Sequence, residues 1–295
     1  MRKPALRALG ALLFPALLLS ACTVEHDAQG SAGRSRPDPR FSSYVALGDS
    51  YTAGPLVPTT DLANGCLRSD HNYPSLLAKR LGVRHFTDVS CSGATTDDIT
   101  HPQNTYRRAY VAPQLRAVHK DTDLVTVGIG GNDFNLFATL AQTCTRLRAT
   151  DPAGSPCTAS LAGGQSLTQT TRRIGDHVVR VLREVRRTAP RATVVLVGYL
   201  RVVPDRGGCQ QLPLATGDYD LGRRITKDLD AALARAARRT HVGYVDAYAL
   251  SAGHDVCAHR PWVNGSRTDR QRAAAFHPFA SGMLAVAERL TTMLS

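Results

Sequence analysis

The sequence lacks an apolar run long enough to cross a bilayer, and it lacks internal repeats. The apolar run near the N-terminus, residues 8–19, is shorter than the roughly 20 residues that a membrane-spanning helix needs. Charged residues are also few, at 20% of the 295 residues, while 43% are apolar. A chain of this length and composition can bury one sizeable core. One domain is therefore the expectation.

Acidic residues are scarce relative to basic ones. The chain has 24 Asp and Glu against 36 Lys and Arg, a formal charge of +12. Basic pairs fall on predicted helices, where they are typical of solvated outer faces: Arg172-Arg173, Arg186-Arg187, Arg223-Arg224 and Arg238-Arg239. They are not interleaved with the aromatic residues that a single-strand binder needs. We expect no nucleic-acid partner, and weak attraction to anionic lipid or wall polymer stays open.

The N-terminus has the layout of an export signal. Arg2, Lys3 and Arg7 precede the apolar run, which the segment Leu19-Ser20-Ala21-Cys22 closes. That segment resembles a bacterial lipobox, which implies lipidation of Cys22 and a membrane anchor; ordinary cleavage with Cys22 incidental is the alternative. Residues 23–40 are rich in Gly, Ser, Pro, Asp and Arg, so they predict a disordered tether. The expected division is signal peptide 1–21, tether 22–40 and folded domain 41–295, in a protein that is exported and then membrane-anchored or secreted.

Six further cysteines indicate disulfide bonds. They are Cys66, Cys91, Cys144, Cys157, Cys209 and Cys257, an even number in a chain expected to reach an oxidising compartment. The residues alone leave all 15 pairings open. A metal site in the stretch His254-Asp255-Val256-Cys257-Ala258-His259 is the alternative. Its spacing matches no standard zinc motif, so we expect no metal.

Five short apolar, β-branched runs alternate with helical patterns. They cover residues 43–47, 84–89, 124–129, 193–197 and 242–245. Such alternation predicts a parallel sheet whose strands are covered on both faces. With right-handed crossovers, the fold class is α/β, a three-layer α/β/α sandwich around a five-stranded parallel sheet.

Ser50 lies where the first of these strands enters a tight turn. The stretch from Tyr44 to Gly54 runs from an apolar strand through Gly48-Asp49-Ser50, and both glycines let the chain bend. A serine at the carboxyl end of a buried strand is exposed to the crevice where α/β proteins place their chemistry. From this segment alone, a solvated serine in an ordinary turn is an equal alternative.

Three later stretches supply partners for such a serine. They are Cys91-Ser92-Gly93-Ala94-Thr95-Thr96, Gly128-Ile129-Gly130-Gly131-Asn132-Asp133 and Phe276-His277-Pro278. Together with Gly48-Asp49-Ser50 they resemble the four signature blocks of the SGNH (GDSL-type) hydrolase superfamily. The resemblance covers the chain from Ser43 to the C-terminus. The six cysteines and Pro261-Trp262-Val263-Asn264-Gly265 further resemble the secreted actinobacterial esterases and lipases.

The resemblance implies a flavodoxin-like strand order, 2-1-3-4-5, with Ser50, Gly93 and Asn132 on the loops after the first three strands. It implies that Ser50 is the nucleophile and His277 its base. The main-chain N–H groups of Ser50 and Gly93 and the Asn132 amide would form the oxyanion hole. It also implies neighbour-in-order disulfides, Cys66–Cys91, Cys144–Cys157 and Cys209–Cys257.

Two positions depart from the family pattern. Tyr51 stands where the name-giving motif has leucine, and we expect it to pack without changing the chemistry. Ala274 stands where many members have an aspartate that orients the histidine. In the secreted branch a main-chain carbonyl at a tryptophan takes that role, which implies Trp262 here.

The expected function is a serine carboxylic-ester hydrolase, an esterase or lipase that works through an acyl-enzyme as a monomer with no cofactor. A phospholipase or a carbohydrate O-deacetylase on the same site is the alternative enzyme. An inactive binding lipoprotein is the alternative from another class, and the four intact blocks argue against it. Two insertions, residues 55–72 and 135–164, are expected to form the walls of the substrate crevice.

Overall fold

A five-stranded parallel sheet forms the centre of the computed structural model, which describes residues 40–164 and 166–295. The strands are β1 (Ser43–Gly48), β2 (His85–Asp88), β3 (Leu124–Gly128), β4 (Thr193–Val197) and β5 (Gly243–Val245). Their order across the sheet is β2-β1-β3-β4-β5. The predicted strands, the parallel sheet and the flavodoxin-like order are therefore confirmed.

The three inner strands are buried almost along their whole length. In β3 every residue from Leu124 to Gly128 is buried. In β1 only the first residue is half-buried, and in β4 only the first residue is exposed. Apolar side chains on both faces require cover on both sides, which explains why these strands read as continuous apolar runs. The edge strand β2 alternates between exposed and half-buried residues.

Four long helices cover the sheet in two pairs. They are α1 (Tyr73–Leu81), α2 (Leu167–Thr188), α3 (Tyr219–Thr240) and α4 (Ala280–Leu294). Helix α2 packs against α3, and α1 packs against α4, so the sheet is the middle of three layers. The apolar face of α2 has helical spacing and is buried: Ile174, Val178, Val181, Leu182 and Val185.

The residues at the two ends of helix α1 explain where it begins and ends. The Asn72 side chain accepts the N–H of Ser75 at 3.0 Å, and Gly82 closes the helix in the left-handed conformation. Proline in the first turn costs no hydrogen bond there.

Shorter elements lie in the connections. The α-helical ones are Ser50–Ala53, Leu136–Ala138, Thr145–Leu147, Pro156–Leu161 and Ala247–Leu250, with a π-helical turn at Thr139–Cys144. Turns of 3₁₀ helix cover Asp97–Ile99, Gln114–Ala117, Asp133–Asn135 and Thr216–Asp218. A small antiparallel hairpin, which was not predicted from the sequence, pairs Gln103–Asn104 with Tyr110–Val111.

Three disulfide bonds join the connections in the pairing that the resemblance implies. They are Cys66–Cys91, Cys144–Cys157 and Cys209–Cys257. Because Cys257 is bonded to Cys209, it has no free thiolate for the alternative metal site.

Some predictions fall on the N-terminal residues. The signal peptide 1–21, Cys22 and the tether up to residue 39 lie outside the described residues. Among the residues that are described, no helix is both long and apolar enough to cross a membrane.

We predict that removing the Cys66–Cys91 bond lowers the free energy of unfolding. The bond closes a loop of 25 residues, for which the chain-entropy model gives about 3 to 4 kcal/mol. The double variant Cys66→Ala/Cys91→Ala leaves no new thiol, and urea unfolding beside the wild type measures the loss. Equal stability, or titratable wild-type thiols other than Cys22, would contradict this assignment.

Candidate active site

Ser50 opens a short helix directly after β1. The Asp49 side chain caps that helix, since it accepts the N–H of Tyr51 at 2.8 Å. Gly48 and Gly128 sit opposite each other in β1 and β3. A Cβ on either glycine would lie 2.2 to 2.4 Å from the Thr52 hydroxyl oxygen. The two glycines therefore let the helix fold down over the strand ends and hold Ser50 at the edge of the sheet.

Ser50, Asn132 and His277 line one cavity of about 350 Å³. The rest of its lining is mainly apolar: Tyr51, Phe137, Ala138, Leu140, Ala141, Gln142, Val202, Leu212, Ser266, Ala275 and Phe276. The structure thus brings together three of the four residues that name the superfamily. Gly93 is exposed, in the left-handed conformation (φ +83°), and it is not part of this lining.

His277 is held in one tautomer by a main-chain carbonyl. Its Nδ1 lies 2.7 Å from the carbonyl oxygen of Ala275. A carbonyl only accepts, so Nδ1 carries the proton and Nε2 is the basic nitrogen. Burial lowers the pKa of His277 below its ordinary value, and the bond to Ala275 offsets part of that change. The ring is therefore neutral near neutral pH, as a general base must be.

The structure differs from the expectation for Trp262, because the carbonyl that meets Nδ1 of His277 is that of Ala275. The Trp262 carbonyl accepts the N–H of Phe279 at 2.8 Å, just before the first residue of α4. The Trp262 ring stacks on His254, with the centroids 4.1 Å apart. Ala275 replaces it because the backbone turns sharply at Phe276 (φ +58°) and brings the carbonyl two residues back under the imidazole.

Asn132 and Asp133 join the loop after β3 to the loop after β2. The Asn132 amide donates one N–H to the carbonyl of Ala94 at 2.9 Å, and a primary amide has a second N–H to offer a ligand. Asp133 accepts the main-chain N–H and the hydroxyl of Thr96, at 2.8 and 2.6 Å. Asp133 therefore fixes the neighbouring loop, which carries Gly93.

Tyr199 links the turn that carries Ser50, the predicted nucleophile, to the loop after β3; we call residues 48–50 the nucleophile turn. Its hydroxyl donates a short hydrogen bond to Asp49 and accepts the main-chain N–H of Gly131 at 2.7 Å. A Cβ on Gly131 would lie 3.0 Å from the Tyr199 ring and closer still to Phe137, so the contact requires glycine. Tyr199 was not predicted from the sequence. Its only signal is a position two residues past the end of β4, at the same edge of the sheet.

Asp49 is a buried carboxyl beside Ser50. Burial raises its pKa to about 7, although the hydrogen bonds from Tyr199 and Tyr51 oppose the rise. The carboxyl can thus change its charge near neutral pH.

Tyr51 links the nucleophile turn to the histidine loop. Its hydroxyl donates to the carbonyl of Phe276 at 2.6 Å, and its ring centroid lies 5.5 Å from that of His277. We expected this residue only to pack. It also holds the chain immediately before His277 against the turn that carries Ser50.

The two insertions differ in their contribution to the cavity. Residues 137–142 of the second insertion form one wall, which includes part of the π-helical turn. The first insertion, residues 55–72, contributes no side chain to the lining. Val202 and Leu212, which follow β4, form part of the wall instead.

A three-layer α/β/α sandwich with serine, asparagine and histidine around an apolar cavity at the strand ends is the arrangement of the SGNH hydrolases. Comparison with known proteins gives the family. Residues 46–285 match the model of the GDSL-like lipase/acylhydrolase family, and the chain belongs to that family. It is a carboxylic-ester hydrolase of the lipase and esterase type.

Relatives from Streptomyces support this assignment. The chain is 39% identical to Lipase 2 of Streptomyces coelicolor over 87% of this chain and 86% of that one. The structure is similar to the extracellular lipase of Streptomyces rimosus, with a TM-score of 0.70, 28% identity, and coverage of 85% of this chain and 99% of that one. It is also similar to phospholipase A1 of Streptomyces albidoflavus, with a TM-score of 0.69, 26% identity, and coverage of 86% and 100%.

We predict that Tyr199→Phe loses more stability at high pH than at low pH. Without the hydroxyl the pKa of Asp49 rises further. The pKa of this carboxyl is higher in the folded state than in the unfolded state. Such a group lowers the free energy of unfolding as the pH rises from the unfolded-state pKa to the folded-state pKa. Urea unfolding should show a loss of about 1 to 3 kcal/mol, larger at about pH 8.5 than at about pH 5.5.

The same variant should lower kcat by about ten- to a hundredfold with little change in KM, because two catalytic loops lose their alignment. Tyr244→Phe is the matched control, since that hydroxyl donates to Asp230 away from the cavity. The control should keep kcat. An unchanged kcat in Tyr199→Phe would show that its bonds only support the fold.

We also predict that no carboxylate orients His277. Asp255 and Asp269 accept the main-chain N–H groups of Cys257 and Gln271, each at 2.9 Å. Asp255→Asn and Asp269→Asn should therefore keep kcat/KM within about tenfold of wild type, whereas His277→Ala should lose several orders of magnitude. A fall of about a thousandfold in either folded aspartate variant would reveal a carboxylate triad.

Proposed function

We propose that the enzyme hydrolyses lipid esters through an acyl-enzyme on Ser50, with His277 as the general base. The observation that carries this proposal is the shared cavity of Ser50, Asn132 and His277, in which the tautomer of His277 is fixed by Ala275. A serine hydroxyl is a poor nucleophile at neutral pH, so it needs a base within reach. Nε2 of the neutral imidazole is that base.

The reaction has two halves. Ser50 Oγ attacks the ester carbonyl carbon while its proton moves to Nε2 of His277. The resulting oxyanion is stabilised by the main-chain N–H groups of Ser50 and Gly93 and by the second amide N–H of Asn132. The tetrahedral intermediate then expels the alcohol, which takes the proton from His277. Water, activated by the same histidine, releases the acid and restores Ser50.

The cavity wall favours an acyl chain as the bound group. Phe137, Leu140, Val202 and Leu212 place apolar side chains around a volume of about 350 Å³. Each methylene that is buried there contributes about 0.8 kcal/mol, a factor of about four in kcat/KM. The activity should therefore rise along a series of p-nitrophenyl esters until the cavity is filled. This lining does not favour a sugar, so a carbohydrate O-deacetylase is the weaker alternative.

A phospholipase activity is the second candidate. The structural similarity to a Streptomyces phospholipase A1 supports it. Parallel assays on triglyceride and phospholipid substrates would separate the two.

We further propose that the protein is exported and that Cys22 anchors it. The disulfide bonds fit an oxidising compartment, and the S. rimosus lipase is described as extracellular. Labelled palmitate should enter the wild type and not Cys22→Ala, and equal labelling would exclude acylation at that residue.

We predict that Ser50→Ala abolishes ester hydrolysis and leaves the fold intact, because Ser50 is half-buried and makes little packing contact. Asn132→Ala should lower kcat by about a hundred- to a thousandfold with little effect on KM, since its amide acts mainly on the transition state. Steady-state kinetics on a soluble ester, with circular dichroism as the control for folding, measure both. Activity retained in a folded Ser50→Ala, or a pure KM effect at Asn132, would contradict these roles.

A further inference from the structure

The short hairpin after β2 presents two tyrosines and two arginines to solvent. Tyr106 and Tyr110 are 63% and 70% exposed, more than any other large apolar or aromatic side chain in the part of the chain that the structure describes. Arg107 and Arg108 lie between them and are exposed. We call these four residues the hairpin tip.

The base of the hairpin is fixed beside the catalytic loops. Gln103 donates its side-chain N–H to the carbonyl of Ser92 at 3.0 Å, next to Gly93. The Thr105 hydroxyl donates to the carbonyl of Asn64 at 2.7 Å. The Cys66–Cys91 disulfide joins the two loops that these bonds reach. The hairpin tip is therefore held on the loop that carries Gly93.

Arg108 has a backbone conformation that favours glycine. The N–H of Arg108 donates to Thr105, and the N–H of Thr105 donates to Ala109, so the turn is closed around an Arg108 in the left-handed conformation (φ +56°). Glycine or asparagine is favoured there, because an ordinary side chain strains that conformation. Among the described residues, the guanidinium groups of Arg107 and Arg108 have no hydrogen-bond or ion-pair partner. The arginine thus adds nothing to the fold that would offset its strain.

We propose that the hairpin tip docks the enzyme on a lipid–water interface that carries anionic head groups. Tyrosine places its ring among acyl chains and its hydroxyl in water, which suits it to the head-group level of a membrane. An unpaired guanidinium binds a phosphate oxygen pair in a planar, bidentate contact. The hairpin tip combines both groups. Docking there would bring lipid to the loop that carries Gly93.

The basic helices offer charge without aromatic residues. Arg235 and Arg238 on α3 are exposed, and no exposed tyrosine, phenylalanine or tryptophan lies on that helix. Such a face can attract a soluble polyanion, but it offers no ring to insert among lipids. This contrast selects the hairpin tip as the lipid contact and provides a matched control.

Binding of the full-length chain to vesicles tests the proposal. All proteins carry Ser50→Ala, so that no lipid is consumed, and Cys22→Ala, so that no acyl anchor contributes. Sedimentation with vesicles of phosphatidylglycerol and phosphatidylcholine measures the partition coefficient. Arg107→Gln/Arg108→Gln should lower it by about 25-fold, and Arg235→Gln/Arg238→Gln by less than about twofold. Tyr106→Ser/Tyr110→Ser should also lower it, and this loss should persist at high salt, where the arginine effect is screened.

Arg108→Gly separates docking from folding. It should keep or raise the melting temperature, because the backbone strain is relieved, and yet lower the partition coefficient about fivefold. Unchanged binding in both hairpin double variants, or an equal loss in the α3 control, would overturn the proposal. Binding to soluble polyphosphate that needs the arginines and not the tyrosines would assign the hairpin tip to a polymer, and would overturn it as well.

The docking role rests on the proposed hydrolysis of lipid esters. Assays with a soluble ester and with vesicle-bound substrate test the two proposals separately. In the active background, the hairpin variants should hydrolyse soluble p-nitrophenyl acetate at the wild-type rate and lose rate only on vesicle-bound substrate. A wild type that binds vesicles and hydrolyses no ester would refute the proposed function alone. Hairpin variants that keep the full rate on vesicle-bound substrate would refute the docking role alone.

Discussion

The hydrogen bonds of the Tyr199 hydroxyl hold the catalytic site together. One bond goes to a buried carboxyl, Asp49, in the turn that precedes Ser50, and the other comes from the N–H of Gly131, next to Asn132. Buried polar groups destabilise the fold when they have no hydrogen-bond partner. This hydroxyl is the partner of two such groups at once. Ser50 and Asn132 consequently keep one relative position, although they follow different strands.

The same principle extends to the other loops at this edge of the sheet. Tyr51 ties the nucleophile turn to Phe276, and Asp133 ties the loop after β3 to Thr96. Each bond runs from one connecting loop to another. Loops are the more mobile part of such folds. Hydrogen bonds between loops fix their relative positions, and a catalytic site needs its residues aligned within fractions of an ångström. The hairpin base, bonded to Ser92, extends the same arrangement towards solvent.

Local patterns predicted the fold, and the family resemblance predicted Ser50, Asn132 and His277, which line one cavity; tertiary contacts decide the rest of the site. The strands are short apolar runs because both of their faces are covered. Ser50, Asn132 and His277 each lie in a short motif of consecutive residues, which can be read from the sequence. The orienting carbonyl could not be predicted in this way, because the turn at Phe276 decides whether Ala275 or Trp262 meets the imidazole. Tyr199 was missed because its partners are about 70 and 150 positions away.

Covalent labelling with a p-nitrophenyl alkylphosphonate tests the central claim most directly. This reagent phosphonylates an activated serine and stops at an adduct that resembles the tetrahedral intermediate. We predict one adduct per chain, located at Ser50 by peptide mass spectrometry, with release of one p-nitrophenol and loss of ester hydrolysis in proportion. His277→Ala should label far more slowly. An adduct on another residue, or inactivation that leaves Ser50 unmodified, would contradict the account.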